Sequence, residues 1–227
     1  MPATLDGPRL EPRGGQAKNL VVFLHGYGAD GNDLIDIARQ WQPWLPGTAF
    51  VSPHAPDRCL QSPQGRQWFP LTTRDPEERW RGVTTARPAL DSFLDAELAR
   101  YGLDDSRLAL VGFSQGTMMA LHVGLRRKRA PAAILGFSGV LVGPEHLAEA
   151  TARNDKGEAP PLLIVHGDQD DVIPVEAMFM SSAAFGEAGI PCQWHLSAGI
   201  GHGIDDGGLM HGGLFLANSF GLPMPRQ

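Results

Sequence analysis

Gly112-Phe113-Ser114-Gln115-Gly116 is the stretch on which the reading of this chain turns. The strand-like residues Leu108-Ala109-Leu110-Val111 run straight into it, and an apolar-periodic segment over 117–125 runs straight out. A G-x-S-x-G serine between a strand and a helix sits on a tight, strained turn. Glycines two before and two after it let neighbouring backbones pass without a Cβ clash. Such a turn lifts the hydroxyl above the sheet edge, where a base and an acyl carbonyl can both reach it. The pattern alone is common in a chain with 28 glycines. Flanked by strand and helix, it marks Ser114 as a candidate nucleophile.

The same alternation extends along the chain. Near-continuous apolar runs at 20–24, 49–51, 108–111, 132–137, 162–165 and 192–196 read as strands buried on both faces. Helical patterns fall at 33–45, 88–101, 115–127, 175–188 and 206–220, with Pro88 suited to a first helical turn. Repeated βα units predict a single α/β domain over 1–227, its central sheet mostly parallel and covered by helices on both faces. In such sheets ligands bind beyond the carboxyl ends of the strands. Tyr27, Ser114, Asp170 and His202 each follow a strand end. The segment 53–82 is rich in Pro, Arg and Trp and lacks a clear period. Its Trp68, Phe69, Leu71 and Trp80 are too apolar for a disordered stretch, so it is expected to be an ordered loop on the substrate side.

Composition narrows the function classes. The 227 residues are 42% hydrophobic, enough for a sizeable core. The formal net charge of −6 argues against nucleic acid as a partner. No apolar run approaches the roughly 18 residues of a membrane span, and Met1 to Gly7 shows no leader pattern, so a cytoplasmic location is expected. Cys59 and Cys192 read as free thiols, and no residue spacing suggests a metal or another cofactor. Arg126-Arg127-Lys128-Arg129 reads as a solvated group of cations complementing a helix C-terminus.

A serine hydroxyl needs a base, and the base needs an orienting carboxylate. On a strand–turn–helix elbow the order is Ser, then Asp or Glu, then His. His195 lies within a strand-like run and His211 within the last helix, whereas His202 sits in the glycine-rich loop Ala198-Gly199-Ile200-Gly201-His202-Gly203. His202 is therefore the candidate base. His166-Gly167-Asp168-Gln169-Asp170-Asp171 offers three carboxylates after a strand. Asp168 and Asp171 both suit turn or helix caps; Asp170 ranks first and Asp171 next, a ranking that rests partly on the resemblance described below. Oxyanion donors are expected from the Gln115 amide, at a helix start, and from the Tyr27 amide in His25-Gly26-Tyr27-Gly28. Gly136-Phe137-Ser138-Gly139 lacks the full elbow spacing, and its serine is expected to hydrogen-bond locally. His25 and His166 precede their loops and read as structural.

Together these motifs resemble a bacterial carboxylesterase of the phospholipase/carboxylesterase family, relatives of the acyl-protein thioesterases within the α/β-hydrolase fold. The resemblance covers about 20–220 and rests on Phe23-Leu24-His25-Gly26-Tyr27-Gly28, the Ser114 elbow, Phe137-Ser138-Gly139, His166-Gly167-Asp168-Gln169-Asp170 with Pro174, and Gly201-His202-Gly203-Ile204. It implies Ser114, Asp170 and His202 as catalytic residues and Tyr27 and Gln115 as oxyanion residues. It further implies an acyl-pocket segment at Arg66-Gln67-Trp68-Phe69; with the apolar run through Leu71, this makes Trp68, Phe69 and Leu71 candidate substrate contacts. The amino-terminal segment is short for the family's opening hairpin, which leaves the strand count open. The implied activity is hydrolysis of small-molecule carboxylic esters with short-to-medium acyl chains. Acyl thioesters or lysophospholipids are alternative substrates, and a catalytically dead binding module is a third reading. The resemblance also allows a homodimer.

Overall fold

The structure is a computed structural model and describes residues 4–59, 61–73, 75–152 and 158–223. In chain order the strands are β1 (Arg9–Leu10), β2 (Asn19–Leu24), β3 (Thr48–Val51), β4 (Asp57–Cys59), β5 (Ser62–Gln67), β6 (Leu108–Phe113), β7 (Ala133–Phe137), β8 (Leu162–Gly167) and β9 (Cys192–Ser197). The helices are α1 (Asn32–Trp41), α2 (Pro76–Tyr101), α3 (Gln115–Gly124), α4 (Leu147–Ala152), α5 (Glu176–Glu187) and α6 (Asp206–Ser219). Each apolar run that reads as a strand forms one.

Seven strands make one sheet in the order β1-β3-β2-β6-β7-β8-β9. All neighbours run parallel except β1, which lies antiparallel on β3 and is what stands in place of an opening hairpin. Successive side chains of a strand point to opposite faces, and β2 shows the result. Leu20, Val22 and Leu24 join a core layer with α2, α3 and α5, while Val21 and Phe23 join the layer under α1 and α6. From β2 the chain passes outward to β3 and later returns on the other side to β6. That reversal opens a crevice between the carboxyl ends of β2 and β6, where α/β sheets bind ligands. The register Leu24↔Gly112 sets the loop after β2 beside the Ser114 turn.

Three expectations are corrected. Helix α2 begins at Pro76, so Pro88 is interior and not in a first turn. The start signal is complete at Asp75, whose side chain accepts from the Glu77 amide at 2.9 Å, with Pro76 next. Burial of Val83, Ala86, Leu90, Phe93 and Leu94 outweighs the roughly 3 kcal/mol that an interior proline costs. The described residues of the segment 53–82 form no simple loop, because β4 and β5 pair antiparallel within it.

The basic cluster is only half solvated. Lys128 and Arg129 are exposed, whereas Arg126 and Arg127 are buried. Arg127 reaches Asp91, Asp95 and Asp105 at 3.0, 2.5 and 2.7 Å, one carboxylate per guanidinium nitrogen. Arg127→Leu is expected to lower stability by about 3 kcal/mol, because it strands three clustered carboxylates. That corresponds to roughly 6–12 °C in melting temperature. A change below about 1 kcal/mol in chemical denaturation would show the cluster behaving as an ordinary surface network.

Candidate active site

Ser114 ends β6 with φ 54° and ψ −113°, a backbone region that L-residues rarely occupy. Its amide donates to the Phe137 carbonyl at 2.9 Å, and α3 starts at the next residue. The two glycines of the elbow are required by contact. A Cβ on Gly116 would stand 1.7 Å from the Leu24 carbonyl oxygen, and one on Gly112 would stand 2.4 Å from the Gly116 backbone. The turn thus presses α3 against both β6 and β2. It leaves the Gln115 amide at a helix start, where N–H groups lack intrahelical partners.

The loop after β2 is fixed by His25. Its Nδ1 lies 2.8 Å from the Gly26 carbonyl, and its Nε2 accepts from the Ala55 amide at 3.0 Å. One nitrogen donates and the other accepts, which specifies the neutral imidazole. Burial pushes its pKa down to about 4, consistent with a structural part. Beyond it, the β4–β5 hairpin docks on the Tyr27 loop. The Gly28 amide donates to the Arg66 carbonyl at 2.9 Å, the Arg66 amide to Ala29 at 2.7 Å, and the Ser62 hydroxyl to Gly28 at 3.1 Å. A hydrogen bond with Cys59 and partial burial raise the Tyr27 hydroxyl to about 12.

The hairpin's exit is clamped by Gln115 itself. The Gln115 Oε1 accepts from the Trp68 amide at 2.9 Å, and its Nε2 donates to the Phe69 carbonyl at 2.7 Å. The Trp68 indole donates to the His25 carbonyl at 2.9 Å. One hairpin therefore braces both residues expected to supply oxyanion donors.

On the other side of the crevice, β8 leads into the Asp170 loop. The Asp170 side chain is fully buried. Its Oδ1 accepts from the Val172 and Ile173 amides, each at 2.9 Å, and its Oδ2 lies 2.8 Å from His202 Nδ1. Asp168 and Asp171 are exposed, and Asp168 accepts from the Gly199 amide at 2.6 Å. The His202 ring packs 5.0 Å from that of Phe113. His195 and His211 instead face each other, with centroids 4.1 Å apart. The Ser138 hydroxyl bonds to the Gly203 carbonyl at 3.1 Å, a long-range tether on the His202 loop where a local bond was expected.

Ser114, His202 and Tyr27 line one cleft of about 310 Å³ with Gln61, Leu71, Thr72, Arg79, Met118, Val172 and Ile173. Of the expected substrate contacts, Leu71 is here. Trp68 and Phe69 are buried and border a different hollow, with Arg81 and Pro88. Reading the sequence missed Gln61, Thr72, Arg79, Met118, Val172 and Ile173 as cleft residues. The last two carry a usable signal, since they directly follow the Asp170-Asp171 pair.

Residues 5–219 match the phospholipase/carboxylesterase family. The chain belongs to that family. Esterase PE8 is similar to it in structure, with a TM-score of 0.89 and 43% identity over 95% of this chain and 99% of that one. Acyl-protein thioesterase 1 of Gibberella zeae is 25% identical over 207 residues, 86% of this chain and 88% of the relative. Esterase YpfH of Escherichia coli is 25% identical over 191 residues, 84% and 78% of the two chains. Membership in the phospholipase/carboxylesterase family makes this an α/β-hydrolase-fold hydrolase of esters or thioesters. Among the described residues no helix is long and apolar enough to cross a membrane.

Proposed function

We propose that this enzyme hydrolyses carboxylic esters of short-to-medium acyl chains through an acyl-enzyme. The reading is carried by one observation: His202 Nδ1 stands 2.8 Å from a fully buried Asp170 oxygen, in a loop that shares a cleft with Ser114. In this mechanism Asp170 accepts a hydrogen bond from Nδ1–H, which keeps the ring proton on Nδ1 and leaves Nε2 unprotonated toward the cleft. His202 removes the Ser114 proton as the hydroxyl oxygen attacks the ester carbonyl carbon, and then returns it to the departing alkoxide. Water attacks the acyl-enzyme by the same proton relay and releases the acid. The Gln115 and Tyr27 amides donate to the oxyanion. Leu71, Met118, Val172 and Ile173 supply the apolar wall for the acyl chain, while Trp68 and Phe69 act from behind as the brace.

One observation favours longer acyl groups, including acyl thioesters or lysophospholipids. A groove of about 360 Å³, its apolar lining made by Val140, Leu141, Pro144, Pro174 and Met180, shares Arg79 with the cleft as a lining residue. The free thiols Cys59 and Cys192 suit a reducing compartment, and we place the enzyme in the cytoplasm.

The test is a fluorophosphonate with peptide mass spectrometry, beside esters and acyl thioesters of graded length. Stoichiometric adduct on Ser114 with turnover of short esters is the expected result. A preference for long thioesters would move the assignment to the groove-bound substrates. Absence of any adduct on folded protein would leave a non-catalytic binding module.

A further inference from the structure

Leu71 and Thr72 form a wall of the Ser114 cleft, and that wall is anchored on both sides. Before it, the Gln115 side chain bonds to the Trp68 amide and the Phe69 carbonyl at 2.9 and 2.7 Å. After it, a single carboxylate takes over. Glu78 Oε1 accepts from the Thr72 amide at 2.8 Å and from the Thr72 hydroxyl. Its Oε2 accepts from the Thr73 amide at 2.9 Å and from the Thr73 hydroxyl at 3.0 Å. Every donor of two consecutive residues thus lands on one side chain. The Thr72 hydroxyl, then the Thr73 and Thr72 amides, hold the Glu78 pKa down to about 2, so at neutral pH the group is an ionised acceptor.

Capping of α2 does not account for this arrangement. Asp75 is the N-cap, which puts Glu78 in the first turn at the position that normally bonds back to the N-cap amide. Here the Asp75 amide donates to the Thr73 hydroxyl at 3.3 Å instead, and Glu78 reaches past it to the cleft wall. The same stretch of chain borders a second space. Trp68, Phe69 and Pro70 line a hollow of about 550 Å³ with Glu78, Thr85 and Ala86 of α2, whereas Leu71 and Thr72, next in sequence, line the cleft.

We propose that Glu78 is a positioning residue that sets acyl-chain specificity: it latches the Leu71–Thr72 wall into the Ser114 cleft and so limits the chain length the cleft accepts. The inference rests on the hydrolase reading above. Leu71 is only partly buried against the core, and the hollow beside it gives the wall room to withdraw. The grip on Thr72 and Thr73 opposes that withdrawal. With the latch released, the wall yields to a longer chain and the cleft gains apolar length next to Ser114.

Glu78→Ala removes both acceptor oxygens. On p-nitrophenyl esters of graded length, its kcat/KM for octanoate relative to butyrate is expected to rise about tenfold over the parent's, the scale of one methylene accommodated in an apolar pocket. The gain is expected in KM for the long ester. Glu78→Gln keeps an acceptor for one threonine but turns an NH₂ toward the donors of the other, and should fall between the two. Glu77→Ala removes the neighbouring first-turn charge and is expected to keep the parent's profile, which separates the latch from the helix dipole. Filling the hollow gives a readout that lost stability cannot mimic. Thr85→Trp, placed in the Glu78→Ala background from the exposed face of α2, is expected to return the ratio toward the parent's. A ratio unchanged in Glu78→Ala, whatever the melting temperature does, would overturn the proposal, as would an equal rise in Glu77→Ala. Should Glu78→Ala not fold, Thr73→Val decides, since it removes one latch bond and no residue lining the cleft. A smaller rise in the same direction is expected there, and none would overturn the proposal. Fluorophosphonate labelling of Ser114 in the parent separates the two levels. Labelling with an unmoved ratio sinks this inference alone, and no labelling sinks the hydrolase mechanism beneath it.

Discussion

Ser114→Ala is expected to lower kcat on esters by roughly 10⁵–10⁶-fold while the protein stays folded. The size follows from the proposed division of labour. His202 and Asp170 act on the Ser114 hydroxyl and on the acyl-enzyme it forms, so without the hydroxyl the whole unit falls silent, and only binding and oxyanion donors remain. The backbone adds a second, less usual expectation. Ser114 is held at φ 54° and ψ −113°, a region that costs a non-glycine residue on the order of 1–3 kcal/mol. Alanine keeps a Cβ and therefore keeps the strain. Glycine relieves it but makes the unfolded chain more flexible, which returns about 0.4–1 kcal/mol. Ser114→Gly should accordingly be as inactive as Ser114→Ala yet more stable, by roughly 1 kcal/mol. Turnover assays beside thermal melts check both halves. Alanine turning over within tenfold of the parent would remove Ser114 from the mechanism, and a less stable glycine variant would show that the elbow stores no strain.

The elements that could be read in the chain are those whose cause is local. Strands buried on both faces need continuous apolar residues, and β2, β6 and β8 have them at every position but Asn19, His166 and the elbow and turn glycines. The Ser114 turn was legible because the close approaches of Gly112 and Gly116 demand glycine. What stayed hidden depends on distant partners. Arg127 looks like any surface cation until Asp91, Asp95 and Asp105 are brought around it. The β4–β5 hairpin carries Pro63, Gln64 and Arg66 with no alternation, because its backbone is held by the Tyr27 loop more than by a buried face. Trp68 and Phe69 announced burial but not their neighbours, and they bond to the Gln115 side chain rather than line the cleft with Ser114. The start of α2 was readable from Asp75-Pro76, but the aperiodic sequence around it hid the signal.

The choice among Asp168, Asp170 and Asp171 shows the same limit at the proposed site, and it leads to an expected loss of about 10⁴-fold in kcat for Asp170→Asn. Sequence places three carboxylates after β8 and cannot say which one turns inward. In the fold only Asp170 is buried, and its two oxygens have different duties. Oδ1 accepts from the Val172 and Ile173 amides, which can only donate. An asparagine at this position must therefore keep its oxygen on that side and turn its NH₂ toward His202 Nδ1. A donor facing Nδ1 forces that nitrogen to accept, so the ring proton moves to Nε2, the side meant to take the Ser114 proton. The base is then present but in the wrong tautomer, in nearly unchanged geometry. Asp171→Asn, one residue along and exposed, changes none of these bonds and is expected to leave kcat near the parent's. Steady-state kinetics of the two variants on one ester, with melting curves as a control for folding, decides between them. The reverse ranking would hand the orienting role to Asp171 and would require the loop after β8 to rearrange when substrate binds.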